Sequence, residues 1–455
     1  MDSPIRLLPS ILLVVALFSA VACGQAAPAA TDAQEGLYAL ADEVMPDVEK
    51  LRGLKFTKPV VKKIQSKEGF RTFLLDALEK EMSPRVWGPR ERFYKKLGLL
   101  PENLSLRGTV EALLLEQVGG YYDPDTRALY LVGSFGPTVD RTILVHEIGH
   151  ALDDQHFDLK ARMESVRNEE DRGFATSSVL EGSATLLMGR YLAKYLLTAK
   201  LDATAILEEM QGQEALQAEQ FRKAPPYLQR GLLLTYLEGQ RFLSKGTLSP
   251  IPDLRPELLE VAFAFPPLSS EQILHPEKYW ESLTRDEPID VVLPDLAPSL
   301  GEGWAKLDES TLGEVYTAIL TEHPEDFEEL DVSDPAEAMA LLGREWTNDG
   351  AAGWGGDRFA VYAKGEKLVG VWVSVWDDVS EAAEFEEALE DAGRGFFRRR
   401  EGDRVVIVVG DASAEGPGSF GSLAEKALRE TKTTRPEPRD IPVPTRRKAD
   451  DGKSR

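Results

Sequence analysis

Cysteine is all but missing from this 455-residue chain; the single copy, Cys23, rules out an intramolecular disulfide. Histidine is nearly as scarce, at 5 residues. Positive charge is in deficit, with 53 Lys and Arg against 77 Asp and Glu, a formal net charge of -24. That balance argues against a nucleic-acid partner, because phosphate backbones are held by clustered cations. The apolar run from Ile11 to Val21 is too short, and ends too abruptly, for a membrane span, which takes ~20 residues. What remains is ordinary for a globular protein: 42% hydrophobic and 29% charged residues, in a chain long enough for two or three domains.

The N-terminus has the layout of a secretory signal, with Arg6, the apolar run, and then small residues. The run ends in Ala20-Val21-Ala22-Cys23-Gly24, which resembles the lipobox of bacterial lipoproteins. The resemblance implies a signal peptide over 1–22, a lipidated Cys23, and a small-residue linker over 23–34. It also implies an exported protein anchored by lipid at the cell envelope, on the periplasmic or outer-membrane side where there are two membranes. A plain signal peptide cut a few residues later would instead discard Cys23.

Residues 35–118 read as mostly helical, with a strand at Pro59 to Ile64. In VGGYYDPDTRALYLVG, Asp123-Pro124-Asp125 is a turn signal between β-formers, which predicts a hairpin. Helical periodicity resumes near Asp140 and continues, with interruptions, to about Ser244; Pro250 to Pro267 is a proline-rich edge. From about residue 300, two strands joined at Gly365, a helix in SEAAEFEEALEDA capped by Ser380, and the strand DRVVIVVGD suggest a small α+β domain. The fold expected is therefore α+β: a mostly helical domain with a small antiparallel sheet over 35–298, a smaller α+β domain over 299–430, and a disordered tail over 431–455. No internal repeat stands out. Trp372 and Trp376 read as core, Gly353 to Asp357 as a turn around a packed tryptophan, and the glutamates near Glu384 as a solvated face.

The chemistry concentrates in HEIGH at 146–150. On a helix, positions four apart share a face, so His146 and His150 can present ring nitrogens to one Zn²⁺. Glu147, beside the first ligand, is placed to act on a water as general base. Apolar neighbours Ile143, Leu144, Val145, Ile148 and Leu152 bury the helix, and a buried pair of imidazoles with a carboxylate is costly without a partner. Zinc needs a third protein ligand. Glu181, a lone carboxylate in SVLEGSATLL flanked by the small Gly182 and Ala184, is favoured. His156 is the competitor: its spacing is that of the metzincin proteases, but Asp153 stands where their turn-forming glycine would be. His275, Tyr279 and Asp154 are further candidates, the first two as oxyanion stabilisers, and Gly239 is a site of close helix packing.

HEIGHALDDQHFDL followed by LEGSATLL resembles bacterial secreted metallopeptidases of the gluzincin type, in which a glutamate on a later helix completes H-E-x-x-H. The resemblance implies a zincin-like domain, one zinc, a peptide or protein substrate, and hydrolysis with Glu147 as base. It also implies that the strand from Arg127 to Val132 is a cleft edge to which a peptide adds as a further strand. The thermolysin-like members carry an Asp four residues after the ligand Glu; here that position is Thr185, which leaves Asp153 or Asp154 to hold a ligand ring. The competing reading is a non-catalytic lipoprotein with a structural zinc and a partner-binding C-terminal domain. Glu147 counts against it, since a structural site has no use for a general base.

Overall fold

A computed structural model describes residues 30–81, 84–117, 119–132, 137–198, 220–247, 253–328, 330 and 340–444. The signal segment and Cys23 lie outside the described residues. In chain order the elements used below are α1 (Ala30–Arg52), β1 (Val61–Ile64), α2 (Lys67–Glu81), α3 (Pro84–Leu97), α4 (Leu106–Gln117), β2 (Gly120–Asp123), β3 (Ala128–Leu131), α5 (Pro137–Phe157), α6 (Leu159–Ser165) and α7 (Glu170–Leu197). There follow α8 (Pro226–Leu243), α9 (Pro256–Ala264), α10 (Ser270–Leu274), β4 (Asp290–Val292), β5 (Ala305–Ser310) and α11 (Gly313–Thr321). The last are β6 (Trp354–Lys364), β7 (Lys367–Trp376), α12 (Val379–Asp391), β8 (Phe397–Glu401), β9 (Arg404–Gly410), α13 (Phe420–Glu430) and β10 (Lys432–Thr434). The class is α+β, with helices dominant before residue 300. None of the described helices is long and apolar enough to cross a membrane.

The hairpin forms where the turn chemistry puts it. Asp123 accepts from the Asp125 amide and the Thr126 hydroxyl, closing the loop between β2 and β3. The sheet order is β1-β3-β2, with β1 parallel and β2 antiparallel to β3. The strand around Arg127 to Val132 is therefore not a cleft edge: both its sides are paired, and no peptide can add there. Under this sheet, α1, α5 and α7 share a core through residues such as Val44, Val48, Leu144, Ile148 and Leu187.

The second sheet is a five-stranded antiparallel one, ordered β5-β6-β7-β9-β8. Alternate residues of β7 serve opposite faces. Trp372 and Trp376 pack on Phe385 of α12, whereas Val371 and Val373 meet Leu423 and Ala427 of α13. Both tryptophans are core, and the Trp354 and Trp372 indoles both donate to buried Asp357. Glu384, Glu387 and Glu390 face solvent. The helix cap differs from expectation: the Asp378 carboxylate, not Ser380, accepts the free amides of Ser380 and Glu381.

Three boundaries also differ. Helix α1 starts at Ala30, inside the expected linker. One hydrophobic core runs from Phe70 through Phe174, Tyr227 and Tyr316 to Trp372 and Ile441, so packing is continuous across residue 299. The expected disordered tail is ordered to residue 444: β10 pairs with β4, Arg439 reaches Glu287 at 2.8 Å, and Ile441 is buried.

Candidate metal centre

His146 and His150 sit one turn apart on the buried face of α5, their Nε2 atoms 3.0 Å from each other. Glu181 enters from α7; one carboxylate oxygen lies 3.2 Å from His146 Nε2 and 3.5 Å from His150 Nε2. The two helices meet closely because the HEIGH glycine leaves room: a Cβ on Gly149 would come within 2.9 Å of Leu187. All three side chains are almost fully buried. Ligands 2.0–2.2 Å from a tetrahedral Zn²⁺ are about 3.3–3.6 Å apart, and the three atoms, 3.0–3.5 Å from one another, come close to the corners of such a site. Two imidazoles and a carboxylate are also the donor set that a catalytic zinc takes.

The electrostatics suit a cation. Burial pushes the Glu181 carboxyl up, but the two imidazoles outweigh it and hold the group down at about 2. Burial lowers His146, keeping its ring neutral against the pull of Glu181. An ionised carboxylate and a neutral imidazole are the forms in which these groups bind metal. Glu147 is different. Burial, reinforced by the Glu181 charge, drives its carboxyl far above the usual range. Its Oε2 accepts the Tyr122 amide at 2.7 Å, and its Oε1 is buried with no hydrogen-bond partner among the described residues.

The surrounding residues hold this set in place. Tyr122 lies on β2, and its phenol donates to Asp154 at 2.8 Å while its amide holds Glu147. Asp154 also accepts the Leu159 amide, which makes it a support for the strand and the following helix. One residue earlier, Asp153 accepts from Arg52 of α1 at 2.8 Å and from Ser183 of α7 at 2.7 Å, tying three helices together. Both carboxylates thus serve the frame rather than a ligand ring. The Thr185 hydroxyl has no partner among the described residues.

The remaining candidates fall elsewhere. Helix α5 continues through His156, carrying its ring away to the Lys55 carbonyl at 2.8 Å. His275 bonds Glu314 at 2.9 Å, and the Tyr279 phenol donates to the Phe265 carbonyl. His275 acts on Glu238, which is two residues round α8 from Tyr236 and so on the opposite side of that helix. Both side chains bond partners other than the triad residues. The aromatic ring that does stand there is Tyr236, 6.0 Å from the His146 ring.

Helix α8 brings Tyr236 in by packing parallel to α7. Tyr227 meets Glu170 at one end, and Gly182 faces Gly239 at the other, each pair 57 residues apart. A Cβ on Gly239 would lie 2.1 Å from the Ser178 carbonyl. The tripeptide Leu-Glu-Gly occurs at 180–182 and again at 237–239, the same interval. This recurrence, in YLEGQRFL, is a sequence signal that could have pointed to the α8 contact. Glu181 and Glu238 each precede the contacting glycine by one residue, and Glu238 accepts from Arg241 at 2.9 Å instead of joining the triad.

Residues 303–417 match the model of a domain of unknown function (DUF8575). No curated protein and no solved structure matches the chain. The matched stretch runs from β5 to the threshold of α13 and contains none of His146, Glu147, His150 or Glu181.

Proposed function

We propose that the protein is a zinc-dependent hydrolase of peptide-type amide bonds, as its resemblance to gluzincin peptidases implies. The observation that carries this reading is the convergence of His146, His150 and Glu181 within 3.0–3.5 Å beside a buried carboxyl with one oxygen unpartnered among the described residues. Zinc held there supplies Lewis acidity toward the amide carbonyl. Glu147 supplies the proton chemistry. With Oε2 fixed on the Tyr122 amide, Oε1 is free to take a proton from the attacking water and return it to the leaving nitrogen. Burial of both carboxyls excludes bulk water from that transfer.

Zinc content and amide hydrolysis, measured on the same preparations, test the reading. Glu147→Gln should keep zinc and lose about 10²–10⁴ in rate. Glu181→Ala should lose zinc, whereas His156→Ala should keep it. Wild-type turnover in Glu147→Gln would remove the general base from the mechanism, and full zinc in Glu181→Ala would remove the third ligand.

A further inference from the structure

A cavity of about 260 Å³ opens beside Glu181 and follows α7. Its α7 wall is Glu170, Gly173, Phe174, Ser177 and Glu181, one face of the helix. From Glu170 to Glu181 that face extends about 16 Å at 1.5 Å per residue. Leu106, Val110, Leu113 and Leu114 of α4 close one side, and Leu228 and Leu232 of α8 the other. Glu181 and Tyr236 stand at the metal end. The far end is closed by Tyr227 and Tyr316, whose rings lie 4.6 Å apart. Tyr316 belongs to α11, within the stretch that matches the domain of unknown function. The charged side chains of the lining, Arg167, Glu169 and Glu170, belong to the start of α7 and the residues just before it, where Tyr227 donates to Glu170. Nearer the metal end the polar side chains are the hydroxyls of Ser177 and Thr235, and Thr235 donates to the Leu232 carbonyl.

We propose that this furrow holds the acyl chain of an N-acyl amide whose carbonyl lies at the triad, with Tyr316 setting the chain length accepted. The proposal rests on the hydrolase reading and narrows its substrate. A peptide backbone drawn along the furrow would bury N–H and C=O groups without partners, which is costly. A single apolar side chain beside the scissile bond reaches less than half the depth. An unbranched acyl chain has no polar groups to satisfy. Three bonds of a fully extended chain span about 3.8 Å, so about thirteen carbons fill the furrow. In the reaction the acyl C–N bond breaks and a C–O bond to water oxygen forms. The acyl group leaves as a carboxylic acid, and the nitrogen leaves as an amine with the proton carried by Glu147.

The test is calorimetric binding of N-acylglycinamides, from 4 to 16 carbons, to zinc-loaded Glu147→Gln protein. Affinity should rise about fourfold per methylene, the ~0.8 kcal/mol of a buried CH₂ converted through RT, and level off near thirteen carbons. Adding Ser177→Phe should bring the levelling to about half that length, and Tyr316→Leu should move it to longer chains. Affinity that ignores chain length in the parent protein, or an apolar hexapeptide displacing the dodecanoyl compound at lower concentration, would overturn the assignment. Chain-length-dependent binding without hydrolysis by the wild type would sink the hydrolase reading and leave the furrow assigned. Peptide hydrolysis without chain-length dependence would do the reverse.

Discussion

Residues that carry the centre differ in how far the sequence exposes them. His146 and His150 are legible because four-residue spacing fixes a shared helix face. Glu181 is legible because a lone carboxylate among Val179, Leu180, Leu186 and Leu187 demands a partner. Tyr122, Arg52 and Tyr236 are not: each arrives through packing between elements far apart in the chain, and no local pattern records it. Thr185 marks a position where family resemblance and structure part. Its buried hydroxyl bonds nothing among the described residues and holds no ligand ring. Thr185→Val, which removes an unsatisfied hydroxyl at constant shape, should leave zinc content unchanged and be neutral or stabilising by up to ~1 kcal/mol in urea unfolding. A loss of zinc in that variant would show that the hydroxyl supports the site.

Among the elements, the hairpin and α5 follow from period and turn chemistry, whereas the parallel pairing of α7 with α8 does not. Nothing in either helix alone states that Gly182 must face Gly239. That contact places the Glu181 turn, because a Cβ on Gly182 would come within 2.4 Å of the Gly239 backbone. Gly239→Ala should therefore cost about 1–3 kcal/mol, the usual range for overpacking a tight contact. It should also weaken zinc binding, since the helices can part only by moving the ligand. Denaturation midpoints and zinc titration check both effects; a destabilised variant with wild-type zinc affinity would show that Glu181 is held by α5 alone. The sheet register explains the misplaced cleft edge in the same terms: β1 pairs with residues of β3 that lie 67 positions on, a pairing that alternation within Arg127 to Val132 cannot announce.

For the whole molecule, the region after residue 300 is a structural part of the first. Asp171, at the start of α7, accepts the Ser270 amide at 2.8 Å, and a Cβ on Gly313 would collide with its carboxylate. Arg90 of α3 forks onto Asp308 of β5, and Arg358 of β6 reaches Glu169. The expected boundary near 299 reflects a change of composition that the packing ignores. A chain truncated before residue 303 should fail to melt cooperatively, while the full chain gives one calorimetric transition; independent melting of residues 1–302 would contradict the continuous core. Burial raises Asp171 to about 7, with the Asp357 carboxylate adding to the effect. A carboxyl with a raised native pKa contributes stability in full at pH below ~4, and loses it as pH climbs through about 7. Asp171→Asn should therefore gain on the wild type in urea midpoint between pH 4.5 and 7.5. A constant difference across that range would mean the carboxyl is ionised throughout.

The parallel course of α7 and α8 has a kinetic corollary. Antiparallel helices can zip from a short connection, but a parallel pair meets only after the chain has doubled back along the first helix. Closing that loop costs entropy before any glycine contact repays it. The α5–α7 pairing, whose triad residues are 35 positions apart or fewer, can form without waiting for α8. The order of assembly thus lets His146, His150 and Glu181 come together before the cavity beside them exists, so the triad forms first and is sheltered second.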